Sequence, residues 1–213
     1  MKKLSTSKQM AINMVAAIVS FLIGTGINFV LAPYLVKELG SETYGFIGLA
    51  NNFVQYATIV TSALNSMSGR FISIEYSKGN IDKASRYFSS VLVADLIIAG
   101  VLLLVSSIIT FNIEFILNVP ENLVDSVKIL FALTFATFII SVITAIFTTA
   151  AFVKNKLYIN SLRDIASNTL KLLLVVILFS FFTAKVYFLA MASLASVIFF
   201  LLTNIKVKKK ILS

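Results

Sequence analysis

The chain has 213 residues, 59% of them hydrophobic and 13% charged, with no cysteine, no histidine and a net charge of +9. A water-soluble core of this length would leave far too much apolar surface uncovered, so the composition excludes an ordinary soluble domain and makes the bilayer the solvent. The missing Cys and His remove disulfides, thiolate and imidazole metal sites and nucleophile–histidine catalysis, so neither an enzyme nor a cofactor is expected.

Six apolar segments follow in chain order, at about 10–36, 44–69, 88–111, 129–152, 163–184 and 187–205. Residues 9–36, 43–69, 129–153 and 186–205 carry no charge, and 87–113 carries only Asp95. Crossing a hydrocarbon core of about 30 Å takes roughly 20 helical residues, so each segment suffices for one crossing and is too short for two. Stretches such as 101–105 and 172–176 are apolar all round, unlike the alternating strands of a barrel. The predicted fold class is an all-α integral membrane protein, with six transmembrane helices in one domain over 1–213.

The first segment begins with Met1-Lys2-Lys3, as a secretory signal does, but its uncharged run is far too long for one and no small-residue cleavage site ends it. It is predicted to stay as the first helix. It carries Asn13, Gly24, Gly26 and Asn28 before Pro33. The glycines suit close helix packing, or a flexible gating helix. Gly40 fits a left-handed helix C-cap and Ser41 the N-cap of the next helix. The second helix aligns Asn51, Gln55, Ser62 and Ser66 in one polar stripe, with Asn52 and Asn65 beside it. Amides in hydrocarbon need partners, either across helices or in a hydrated cavity. That helix continues past the membrane through Arg70 and breaks at Lys78-Gly79-Asn80, with Asn80 placed to cap the third helix.

Asp95 of the third helix needs protonation or a partner at depth, and Lys171 and Arg163 are the candidates for an ion pair. Pro120 marks an outer loop. In the fifth segment the unbroken apolar part, 172–183, is too short to cross alone, so it must recruit Asn160, Arg163, Asp164, Asn168 and Lys171. Snorkelling of Lys171 to the cytoplasmic headgroups is the bland alternative. With both termini cytoplasmic, 15 of the 18 Lys and Arg lie on the inner side, which the positive-inside rule favours. The positive charge therefore signals topology and attraction to anionic lipid, not nucleic acid.

The stretch from Asn28 to Gly40, with Ala32-Pro33-Tyr34 and Lys37-Glu38-Leu39-Gly40, followed by Tyr44-Gly45-Phe46-Ile47-Gly48-Leu49-Ala50, resembles the first helix, turn and second helix of polysaccharide exporters of the Wzx flippase type. The segments 70–75 and 78–88 are similar to that family's loop before its third helix. The resemblance implies an inner-membrane transporter that moves undecaprenyl-diphosphate-linked oligosaccharide to the outer leaflet. It also implies a MATE-like architecture of two six-helix lobes around a cavity. This chain would supply one lobe, as a truncated or split product or as a half that pairs with itself or another chain. The expected partners are the bilayer, the lipid-linked oligosaccharide and the second lobe.

The first helix is uncharged, so it lacks the family's cationic cavity residues, and Arg163 and Lys171 stand as positional substitutes. The substrate-cavity candidates are Asn28, Asn51, Asn52, Gln55, Asn65, Arg163, Asn168 and Lys171. Three rivals remain: a cation-coupled drug extruder with Asp95 as coupling site, a six-helix substrate-binding subunit of a vitamin transporter, and a noncatalytic scaffold.

Overall fold

A computed structural model describes residues 6–153 and 155–212, and their side chains except at 6, 60, 63–68, 150, 152 and 206–212. Long helices dominate it: α1 (Thr6–Leu39), α2 (Ser41–Ser77), α3 (Ile81–Phe111), α5 (Val124–Val153), α6 (Tyr158–Phe181) and α7 (Phe188–Leu212). A short α4 (Ile113–Ile116) and a 3-10 turn at Glu121–Leu123 bridge α3 to α5. Among the described residues five of these helices are long and apolar enough to cross a membrane. Large apolar side chains point outward along them, with Phe29 81% and Phe181 79% exposed, as lipid contact requires and water would oppose.

The helices fall into two groups. In one, α2, α3 and α5 pack together; in the other, α1 packs on α6 and α6 on α7. The groups join along α5 and α7, while α1 and α2 share little contact despite their length and adjacency. A wedge of space is left between them.

At the Gly40 end the wedge is shut. Phe46 and Ile47 of α2 pack on Leu130, Phe131 and Phe135 of α5, and Leu31 and Leu35 of α1 pack on Val175 and Phe179 of α6 and Phe188 of α7. Leu39, Tyr44, Tyr187 and Leu189 touch both clusters and weld the groups together there. At the other end the groups are fastened separately. Ile72, Ala84, Phe88 and Ile146 tie α2, α3 and α5. Buried Asn13 of α1 donates to the Asn155 backbone carbonyl at 3.0 Å and its Oδ1 at 2.8 Å, and accepts from the Tyr158 N–H at 3.1 Å, clasping α1 to the start of α6.

Two local expectations need correction. Gly40 has φ 79° and ψ 156°, a region open essentially to glycine and not the left-handed helical cap expected. It is itself the N-cap of α2, so Ser41 is the first helical residue. Asn80 does precede α3, but its side chain makes no cap bond and instead donates to Glu75 at 2.9 Å. A Cβ on Gly40 would meet nothing within 4 Å, so the cost of one is backbone strain alone. Gly40→Ala is therefore expected to destabilise the fold by about 1–3 kcal/mol, read as a lower unfolding temperature in detergent; an unchanged temperature would mean that the turn relaxes freely.

The helix bounds run beyond the predicted segments. The third helix starts at Ile81 and the fourth long helix at Val124, because each extends past the hydrocarbon into polar flanks. The fifth long helix does recruit its polar front, running from Tyr158 to Phe181.

Candidate functional site

Between the two helix groups lies a cavity of about 1470 Å³, lined from α1, α2, α5, α6 and α7. Its α2 wall repeats at helical spacing: Tyr44, Ile47, Asn51, Val54, Thr58, Thr61, Ser62, Gly69, Arg70 and Ser73. The α5 wall supplies a second row, with Thr134, Thr137, Ser141, Ala145 and Thr148 on one face. Asn28 enters from α1, Asn160 and Lys171 from α6 and Ser193 from α7.

Lys171 sits 13 residues into α6, about 20 Å along it. Its ammonium crosses to α1 and donates to Asn28 Oδ1 at 3.1 Å. That contact places it in the cavity wall and replaces the snorkelling alternative. The expected Asp95–Lys171 ion pair is not formed among the described residues, and neither is one with Arg163. The reason is packing: α3 lies on α2 and α5, whereas α6 lies on α1 and α7. Asp95 is 2% exposed, lies outside the cavity lining, and its Oδ2 has no hydrogen-bond partner among the described residues.

The other expected cavity residues divide. Asn51 lines the cavity, but Asn52 and Gln55 lie exposed outside its lining, and the side chain of Asn65 lies outside the described residues. Arg163 turns to α7, where its Nη1 donates to Asn204 Oδ1 at 2.8 Å; Asn204 is 1% exposed and donates in turn to the Phe200 carbonyl. That pair, with Ser167 donating to the Ser196 carbonyl at 2.7 Å, fixes α6 on α7. Asn168 donates to the Asp164 carbonyl at 2.9 Å and packs against α1, where a Cβ on Gly24 would sit 3.5 Å from its Nδ2. That is ordinary van der Waals contact, and a Cβ on Gly26 would meet nothing within 4 Å, so close packing requires neither glycine.

Sequence reasoning missed Arg70 and the hydroxyl row of α5. The signal was available: positions 134, 137, 141, 145 and 148 are spaced by three and four, with a small or hydroxylated residue at each.

A curated protein similar to the chain is the uncharacterized membrane protein EpsK of Bacillus subtilis (strain 168), 33% identical over 187 residues that make up 88% of this chain. The chain spans 37% of the length of that relative. No family profile matches the chain. No solved structure matches it. Apolar helices of membrane-crossing length and a membrane-protein relative together make this an integral membrane protein.

Proposed function

We propose that the chain is one six-helix lobe of a transporter of the Wzx flippase type, with both termini on the cytoplasmic side of a bacterial inner membrane, and that it moves undecaprenyl-diphosphate-linked oligosaccharide between leaflets. The observation that carries this reading is the cavity. At about 1470 Å³ it exceeds the roughly 300–1,000 Å³ typical of pockets for drug-sized ligands. Its wall mixes hydroxyls and amides with two cations, Arg70 and Lys171.

A sugar head group with a diphosphate cannot cross about 30 Å of hydrocarbon unaided, because buried charge and unpaired hydroxyls are costly. A polar wedge between helices replaces the lost hydration while the lipid tail stays outside. No step in this reading requires a covalent intermediate or a cofactor. The orientation is supported by the 15 basic residues that it places in the cytoplasm. The cavity is shut at the Gly40 end, which that orientation makes the outer end, so the wedge faces inward. A second six-helix lobe, from another copy or another chain, covers the open side and completes the path.

Reconstitution tests the reading. Proteoliposomes containing the chain paired with a second lobe should accelerate transbilayer movement of a fluorescent undecaprenyl-diphosphate oligosaccharide, and should leave a fluorescent phosphatidylcholine unaffected. Equal movement of both lipids, or of neither, would contradict it.

A further inference from the structure

Five hydroxyls on the α2 and α5 walls of the cavity are turned the same way. Thr58 donates to the Val54 carbonyl at 2.8 Å, Ser73 to Gly69 at 2.8 Å, Thr137 to Leu133 at 2.7 Å, Ser141 to Thr137 at 2.8 Å and Thr148 to Ala145 at 2.7 Å. A backbone carbonyl can only accept, so each hydroxyl proton is held by its own helix and each oxygen offers lone pairs to the cavity. Asn160 behaves the same way. Its Nδ2 donates to the Thr148 carbonyl at 3.2 Å, which leaves Oδ1 without a hydrogen-bond partner among the described residues.

The charged donors flank this tract. Lys171 is held on Asn28, and Arg70 stands about 18 Å beyond Thr58 along α2, one turn before Ser73. No acidic residue lines the cavity among the described residues, so a cationic ligand would find no countercharge.

We propose that the middle of the cavity is an acceptor tract for a neutral polyhydroxylated sugar segment, which donates its hydroxyls to the wall, and that it rejects sugars bearing carboxylates or sulfates. The inference rests on the glycan-handling reading above and deepens it. A ring hydroxyl carries its own proton and completes a bond to each oxygen. A carboxylate carries none and, away from Arg70 and Lys171, faces lone pairs with lone pairs. Discrimination thus comes from repulsion of the wrong ligand as much as from attraction of the right one. The anionic group of an amphiphilic ligand is left to Arg70 and Lys171.

The Cys-free chain allows a direct test. Ala145 lines the cavity and has no polar side-chain atom, so Ala145→Cys makes a reporter that leaves the acceptors in place. In nanodiscs holding the full chain, maltotetraose should slow maleimide labelling of the reporter, and tetragalacturonate should not. Adding T137V, S141A and T148V should weaken the apparent affinity for maltotetraose by about tenfold or more, as loss of hydrogen bonds of ordinary strength implies. T137S, S141T and T148S together keep all three oxygens and should retain protection. If the triple removal fails to fold, S141A alone must still weaken protection by about threefold. Equal protection by both probes, or unchanged protection without the hydroxyls, overturns the acceptor tract and leaves the glycan reading standing. Protection by neither probe removes both.

Discussion

Replacing Lys171 with leucine is expected to slow transbilayer movement of lipid-linked oligosaccharide by about thirtyfold or more. A hydrogen bond to a charged group contributes about 1.5–3 kcal/mol, and the upper half of that range corresponds to roughly this factor. Folded yield should change little, because among the described residues Lys171 bonds across helices only to Asn28, an exposed residue, while α6 is held on α7 by Arg163 and Ser167. Lys171→Arg, which keeps the charge, should recover part of the rate. The informative comparison is with Arg163→Leu, which strips the buried Asn204 of its partner and should lower yield first. If Lys171→Leu left movement intact and only reduced yield, Lys171 would be a structural residue and not a ligand-binding cation of the cavity. Exchanging charges between Asp95 and Lys171 should rescue nothing, since no ion pair joins them among the described residues.

The long helices were legible because charge is so costly in hydrocarbon that a long run with little or no charge is a candidate membrane crossing, although α2, uncharged over 43–69, is not among the five candidate spans of the described residues. Their ends were less so. The α2 and α3 helices reach Ser77 and start at Ile81, well outside the apolar runs, since a helix needs no hydrocarbon to continue.

Within the site, Lys171 and Asn28 stood out as polar residues in apolar surroundings, but their meeting depends on α1 packing against α6, a contact 143 residues apart in sequence. Arg163 was misplaced for a geometric reason. It lies eight positions before Lys171, which at 3.6 residues per turn is about 80° around the helix, enough to face α7 and not the cavity. Asn160, 11 positions before Lys171, returns to within about 20° of it and does line the cavity.

The hydroxyls of α5 were passed over because Thr and Ser bonded to their own helix are comfortable in an apolar run, and their oxygens show only once a cavity lies beside them. Arg70 was read as one more inner-side cation, since charge counting does not tell which face of α2 carries it.

The second large effect concerns the number of lobes. The wedge between α1 and α2 is one wall of a path, and Asn51, Arg70 and Lys171 present polar groups along it. Polar groups left against lipid would go unsatisfied, so a complete path needs a facing wall. Complementation of a flippase-deficient bacterial strain, read together with the oligomeric state of the chain in nanodiscs, measures this directly. Surface glycan should appear only when the chain is dimeric or is expressed with a second six-helix lobe, with output from the monomer indistinguishable from the empty strain. Robust surface glycan from a strictly monomeric chain would contradict the two-wall path, and with it the assignment of the cavity as a shared route for the glycan.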